Sequence, residues 1–337
     1  MTGKERVMAM ISGQQCDCLP LMPITMQFAA DRIGRTYHDY ATDYHVLAEA
    51  QMRVADEFSF DHVSAISDPA REAADCGASI FFPPDAPPAI DEANALLADK
   101  TKLASLRRPD PLGGGRMTDR VLAVQQLSMR MGRDRIVEGW IEGPCAQAAD
   151  LRGINTLMLD FYDDEKFVRD LIAFIIDMEV AFARVQVEAG ATLIGIGDAA
   201  ASLVGPEIYD GFVLPNERLL IDHIHNLGVS VRLHICGNTT SMLEDLGQLR
   251  ADIIDLDYPA SILDARKMMP AHQVLLGNID PVRTLRDGTP DSVSAAIGKC
   301  HLQAGPRYIV GAGCDIPRDT RPELVQAMCR YAKEHRP

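Results

Sequence analysis

Three side chains in the second half of the chain have the types and spacing to hold a soft metal ion. His234-Ile235-Cys236-Gly237-Asn238 closes the run Val229-Ser-Val-Arg-Leu-His-Ile-Cys. Side chains alternate along a strand, so Val229, Val231, Leu233 and Ile235 share one face and Ser230, Arg232, His234 and Cys236 the other. The apolar face suits a layer of helices and the polar face an interior, where Arg232 pairs most simply with a buried carboxylate. Imidazole nitrogen beside thiolate sulfur suits a borderline-soft cation such as zinc. Cys314, in Gly311-Ala-Gly-Cys-Asp315 after the last apolar run, adds a third donor. Three protein ligands and an open position make up a catalytic zinc site, whereas structural sites are closed by four. A His-x-Cys triplet alone is commonplace, and a strand histidine is as a rule a hydrogen-bonded core residue. It is Cys314 at an equivalent strand end that makes the set a candidate. Cys16-Asp-Cys18 is expected to be a pair of unlinked thiols, and Cys76, Cys145, Cys300 and Cys329 small apolar fillers.

Positioning these residues requires elements that end at one place. Eight short apolar, β-branched runs are predicted as strands: Leu19–Met26, His62–Ser67, Ile136–Glu142, Thr192–Asp198, Ser230–Cys236, Asp252–Asp257, Gln273–Asp280 and Arg307–Gly313. Amphipathic segments lie between them, among them Asp164–Ala189, Pro206–Leu227 and Glu323–Lys333, with apolar residues three and four apart. Strands alternating with helices over about 300 residues predict an α/β fold, a (β/α)8 TIM barrel formed as a single domain over 1–337. Residues 2–13 form a short helical extension before it. An open doubly wound sheet is the competitor, but no G-x-G-x-x-G occurs. Ser79–Ile90, rich in Phe and Pro, is expected as an irregular hairpin, and Gly113-Gly114-Gly115 as a mobile loop.

Several runs end in polar residues: Ser67-Asp68, Glu142, Asp198, His234-Ile-Cys236, Asp257, Asn278-Ile-Asp280 and Cys314-Asp315. In a (β/α)8 barrel those ends meet at one mouth, where active sites are built. Asp198 and Asp257 are expected to serve catalysis as fourth ligand, as partner of a ligand or as substrate contact. Gln27, Asp68 and Asn278 are expected to contact substrate. Each can equally be a strand-end residue bonded to its loop.

Composition limits the partners. The 337 residues carry 33 Lys+Arg against 48 Asp+Glu, a formal charge of −15. Such a surface repels phosphate backbones and anionic membranes, which disfavours nucleic-acid and membrane binding. The N-terminus has no signal-peptide pattern, no window is apolar enough to span a bilayer, and eight scattered cysteines fit reduced thiols, so a cytoplasmic protein is expected.

Over nearly its whole length the chain resembles the uroporphyrinogen decarboxylase superfamily, and within it the zinc-dependent corrinoid methyltransferase branch that includes methylcobalamin:coenzyme M methyltransferases. The landmarks are Glu142-Gly-Pro144 with Leu151-Arg-Gly153, Gly190-Ala-Thr-Leu-Ile-Gly-Ile-Gly-Asp198, Pro206-Glu-Ile-Tyr-Asp-Gly-Phe212 with Pro215, His234-x-Cys236-Gly237, Gly277-Asn278-Ile-Asp280 and Gly311-x-Gly-Cys314. The resemblance implies a (β/α)8 barrel with His234, Cys236 and Cys314 as zinc ligands. Decarboxylases carry an M-R-Q-A-G-R segment and a G-H-G; here Thr25-Met-Gln-Phe-Ala-Ala-Asp-Arg-Ile-Gly34 and Gly313-Cys314-Asp315 stand instead.

The implied activity is transfer of a methyl group between a corrinoid (cobalamin) on a separate carrier protein and a small thiol or other methyl donor or acceptor. No D-x-H-x-x-G corrinoid motif occurs in this chain, so the corrinoid would come on the partner. Zinc would turn a thiol into the thiolate nucleophile, or polarise a donor heteroatom. A tetrapyrrole decarboxylase and a non-catalytic corrinoid-binding barrel are the alternatives.

Overall fold

The computed structural model describes all of residues 1–337. In chain order its strands are β1 (His62–Ser64), the hairpin pair β2 (Ile80–Phe81) and β3 (Ala89–Ile90), then β4 (Ile136–Glu142), β5 (Leu193–Gly197), β6 (Ser230–Ile235), β7 (Ile253–Leu256), β8 (Val274–Leu276) and β9 (Tyr308–Ile309). Apart from the antiparallel hairpin they form one parallel sheet in the order β1-β4-β5-β6-β7-β8-β9, each neighbour joined through a crossover.

The eighth run, Leu19–Met26, forms no strand of its own. It lies between β9 and β1 as a seam. Met22 N–H donates to Val310 C=O (3.0 Å) and Val310 N–H to Pro20 C=O (2.8 Å) on one side. On the other, Asp61 N–H donates to Leu21 C=O (3.0 Å) and Leu21 N–H to the Asp61 carboxylate (2.8 Å). Pro20 and Pro23 have no N–H to give, so a regular ladder cannot run through this segment. The barrel therefore closes, by a few bonds.

The helices follow their sequence signals. Glu165–Glu188 begins where the Asp164 side chain accepts from Phe167 N–H and buries Phe167, Leu171, Ile175, Met178 and Phe182 on one face. The expected helix Pro206–Leu227 is instead Pro206–Ile208, a widened turn over Tyr209–Val213 and Leu214–His225. Pro215 cannot donate to the carbonyl four residues back, which breaks the regular pattern there. The last helix is Pro322–Glu334. Gly113–Gly115 leads into helix Arg116–Met131, anchored by the Asp75 carboxylate, which accepts from Arg116 and Met117 N–H (2.8 Å each).

The N-terminal helix Gly3–Ser12, held by a Thr2/Glu5 capping box, plugs the far end of the barrel. Its Val7 and Met10 pack on Met22, Ile136, Leu193, Ile253 and Val274. Outward-facing Val231, Leu233 and Ile235 join the main core under the helices, as alternation predicts. Inward, Trp140 fills the barrel against Gly195, where a β-carbon would stand 2.2 Å from the indole. No helix is long and apolar enough to cross a membrane.

Candidate metal centre

His234 and Cys236 leave the end of β6 on its inner face, two residues apart. Cys314 arrives from the loop after β9. The ligand atoms of the three lie within 4.8 Å of one another. Nε2 of His234 is 3.1 Å from Cys236 Sγ, and the two sulfurs are 3.8 Å apart. No disulfide joins them; all eight cysteines are free.

The histidine is oriented from behind. His234 Nδ1 lies 3.1 Å from Asp255 Oδ2, a β7 residue paired with His234 in the sheet register. That bond directs Nε2 toward the sulfurs, as expected of a metal-ligating imidazole. Asp255 also takes Arg232 (Nη2 2.6 Å, Nε 3.0 Å), and Arg232 reaches Glu138 at 3.2 Å, all fully buried. Arg232 thus pairs with interior carboxylates, as its inward parity implied.

The Cys314 loop is brought in by glycine and carboxylates. Gly313 N–H donates to Ile279 C=O (2.9 Å), and a β-carbon at Gly313 would stand 2.4 Å from the Tyr258 nitrogen. Asp257 accepts from Gly237 N–H and Tyr258 N–H, both at 2.6 Å. It so ties the turn after Cys236, where Gly237 has φ +92°, to the segment against which Gly313 packs.

The electrostatics suit a cation. Hydrogen bonding from Cys236, and after it the neighbouring His234, pulls the Cys314 thiol down to about 4, against burial. The shared proton, with burial, pushes Cys236 up. Burial opposes the charged form of His234, yet Cys236 and Asp255 outweigh it and raise its pKa well above the ordinary value. One thiolate and an imidazole aimed by a carboxylate are the donors a zinc ion takes, so the residues fit the metal the sequence implied.

The cluster borders a cavity of about 190 Å³. Its walls are largely apolar, with Ile24, Met26, Ile66, Pro69, Pro87 and Trp140. The lining also includes Asp68, Arg71 and Glu142. Arg116 clamps Asp68 through Nη1 (2.8 Å) and Nη2 (2.6 Å) and, despite burial, holds it below the usual carboxylate range. Arg71 donates to Glu142 (2.9 Å), Glu72 (3.1 Å) and the Asp68 carbonyl.

The other expected site residues divide. Asp68 lines the cavity and Asp257 adjoins the ligand loops. Asp198 points away: its carboxylate accepts from Cys145 N–H (3.2 Å) and Ala146 N–H (2.6 Å) at the start of helix Pro144–Arg152. Burial, countered by those bonds, sets it at about 7. Asn278 donates to Asp257 C=O (3.1 Å) and Ala260 C=O (2.7 Å), beneath the ligand loops. Gln27 donates to Asp85 C=O (2.9 Å), fastening the hairpin loop whose Pro87 roofs the cavity. Sequence reasoning passed over Asp255 and Arg71. Asp255 shares strand and parity with Asp257, which was signal enough; Arg71, on a short helix off β1, had none.

The family model for uroporphyrinogen decarboxylase (URO-D) matches residues 2–335. The chain belongs to this family. Within it, the chain is 30% identical to a methylcobamide:CoM methyltransferase (MtbA) of Methanosarcina mazei, over 99% of this chain and 98% of the relative. It is 24% identical to a uroporphyrinogen decarboxylase of Nostoc sp., over 93% and 92%. A solved methyltransferase structure from Methanosarcina mazei superposes with a TM-score of 0.90 at 21% identity, covering 99% of both chains, which establishes the fold as that of the URO-D-like barrels.

Proposed function

We propose that this family member is a zinc-dependent methyltransferase, moving a methyl group between a corrinoid carried by a partner protein and a small thiol or other methyl donor or acceptor. The observation that carries this is the convergence of His234, Cys236 and Cys314 at the edge of an apolar cavity at the barrel mouth. The full-length likeness to a methylcobamide:CoM methyltransferase supports it. Zinc held by these three residues would convert a substrate thiol to its thiolate, or polarise a donor heteroatom.

The chain's own residues do the rest. Asp255 holds the His234 ring with Nε2 facing the cavity, and Arg232 keeps Asp255 ionised. Asp257, both of its oxygens taken by backbone N–H groups, sets the spacing of the two ligand-bearing loops and so would serve catalysis by positioning them. Asp198 and Asn278 fix the surrounding backbone, and Gln27 the roof. Asp68, clamped by Arg116, offers the substrate a fixed polar wall. The apolar lining would keep water from the reacting groups. The decarboxylase alternative is less favoured, since the arginine-rich segment those enzymes carry is missing. The free thiols support a working place in the reducing cytoplasm.

Elemental analysis of protein purified without chelators or a His tag is the test. Close to one zinc per chain is expected, falling in Cys314→Ala, together with methyl transfer to cob(I)alamin or from methylcobalamin. Full metal content and activity in Cys314→Ala would refute the ligand assignment.

A further inference from the structure

The charges around the cavity restrict what can enter it. Two carboxylates, Asp68 and Glu142, line it, and beside His234 its sole cationic side chain is Arg71. Arg71 is fully buried and already bonded to Glu142, Glu72 and the Asp68 carbonyl. Behind Asp68, both Nη groups of Arg116 are spent on that carboxylate, one of them also on Ala41 C=O (2.9 Å). Every Nη atom of the two guanidiniums already has a partner, and the unpartnered Nε of each is buried.

Asp68 is paired with Arg116, and Arg71 with two carboxyl groups, Glu72 and Glu142, either of which suffices to cancel it. A dication with two thiolate ligands adds no net charge. With one of the two carboxyls ionised the site is not positive. An anionic substrate would give up its hydration to face apolar walls and a carboxyl group, with no uncommitted cation to receive it, and burying an unpaired charge is strongly unfavourable.

Resting on the proposed methyl-transfer function, we propose that the substrate meeting the His234–Cys236–Cys314 cluster carries no negative charge: it is an uncharged, largely apolar thiol, thioether or methyl ether, and not a sulfonate, carboxylate or phosphate. Its acceptor or donor therefore differs from the CoM (a thiol bearing a sulfonate) in the name of its methanogen relative. Glu142 is the group that enforces the difference, because it occupies the face of Arg71 that an anion would need.

The test is a titration of cobalt(II)-substituted protein with 1-propanethiol, 2-aminoethanethiol and 2-mercaptoethanesulfonate, followed in the visible spectrum and corrected for each thiol's own acidity. The three reach about equally far and differ in terminal charge. The sulfonate is expected to bind at least fivefold more weakly than propanethiol. A smaller gap, or tighter sulfonate binding, overturns the proposal and leaves the metal function standing, because the spectrum still responds. A spectrum that no thiol shifts removes the metal function and this proposal with it. Tighter binding of aminoethanethiol than propanethiol would replace the uncharged class by a cationic one. Glu142→Ala, which vacates that face of Arg71, is expected to tighten sulfonate binding at least fivefold relative to propanethiol; failure of that gain refutes the role given to Glu142.

Discussion

Two buried polar clusters flank the cavity and solve the same problem in opposite ways. Under the proposed metal ligands, Arg232 and His234 bracket Asp255, and Asp255 stays below the usual carboxylate range although it is fully buried, because the two cations outweigh its desolvation. In the other, Arg71 stands alone among Glu72, Glu142, Asp150 and Glu179. There burial and mutual repulsion win, and Glu142, Asp150 and Glu179 lie well above it. Neither oxygen of Glu179 has a partner. Burial does not decide the charge of a carboxylate; the number of cations within reach does. One cluster holds fixed charge and aims a ligand. The other holds protons.

The largest effect expected on the first cluster is from Cys236→Ala. Loss of one of three ligands should lower zinc affinity more than about 100-fold, read by competition with a chelator, since losing even a partner behind a ligand costs about 10–100-fold. Asp255→Asn should fall within that 10–100-fold range, with the three ligands intact. Arg232→Met leaves Asp255 and Glu138 buried without their cation and should cost about 3–5 kcal/mol in denaturant unfolding. If Asp255→Asn bound zinc as the parent does, the orienting role of the first cluster would be lost.

Glu179→Gln probes the second cluster. A carboxyl whose pKa is raised by folding stabilises the fold below its unfolded value, near 4, and that contribution is lost as pH rises toward the folded value. Parent and variant should therefore agree near pH 4. The variant should be the more stable at pH 8, by about 1.4 kcal/mol for each pKa unit removed. A parallel pair of pH profiles would mean that Glu179 carries its charge after all. The smallest effect is expected at the roof: Gln27→Ala removes one hydrogen bond to Asp85, about 0.5–1.5 kcal/mol, seen as faster exchange at the Phe82, Asp85 and Ala86 amides with metal content unchanged.

Much of this was legible from alternation along strands. The seven sheet strands fall within predicted runs, and the parity of β6 correctly turned Arg232 and His234 inward. The same rule, carried further, separates the acidic strand ends. Gly195 faces inward with Gly197, so Asp198 must face outward, and it does, to the start of helix Pro144–Arg152. Ile253, Asp255 and Asp257 share the inner face. The rule fails where the chain stops being a strand: Gly277, at φ +108°, turns the backbone before Asn278, whose inward parity no longer applies. The Arg71–Glu142 bond was beyond it, since it joins residues 71 apart through a short helix with no periodic signal. The seam was misjudged as a strand because its apolar pattern outvoted its two prolines.

That seam gives the ligand set a mechanical meaning. His234 and Cys236 sit on the opposite side of the barrel from the weakly bonded closure, while Cys314 lies four residues beyond Val310, which forms it. An ion gripped by all three would tie the β9 flank of that joint to the far wall of the barrel, so occupancy and closure are thermodynamically linked and each strengthens the other. Zinc should accordingly raise the melting temperature and slow exchange at the Met22 and Val310 amides more than elsewhere in the sheet, which would make the proposed ion a rivet as well as a reagent.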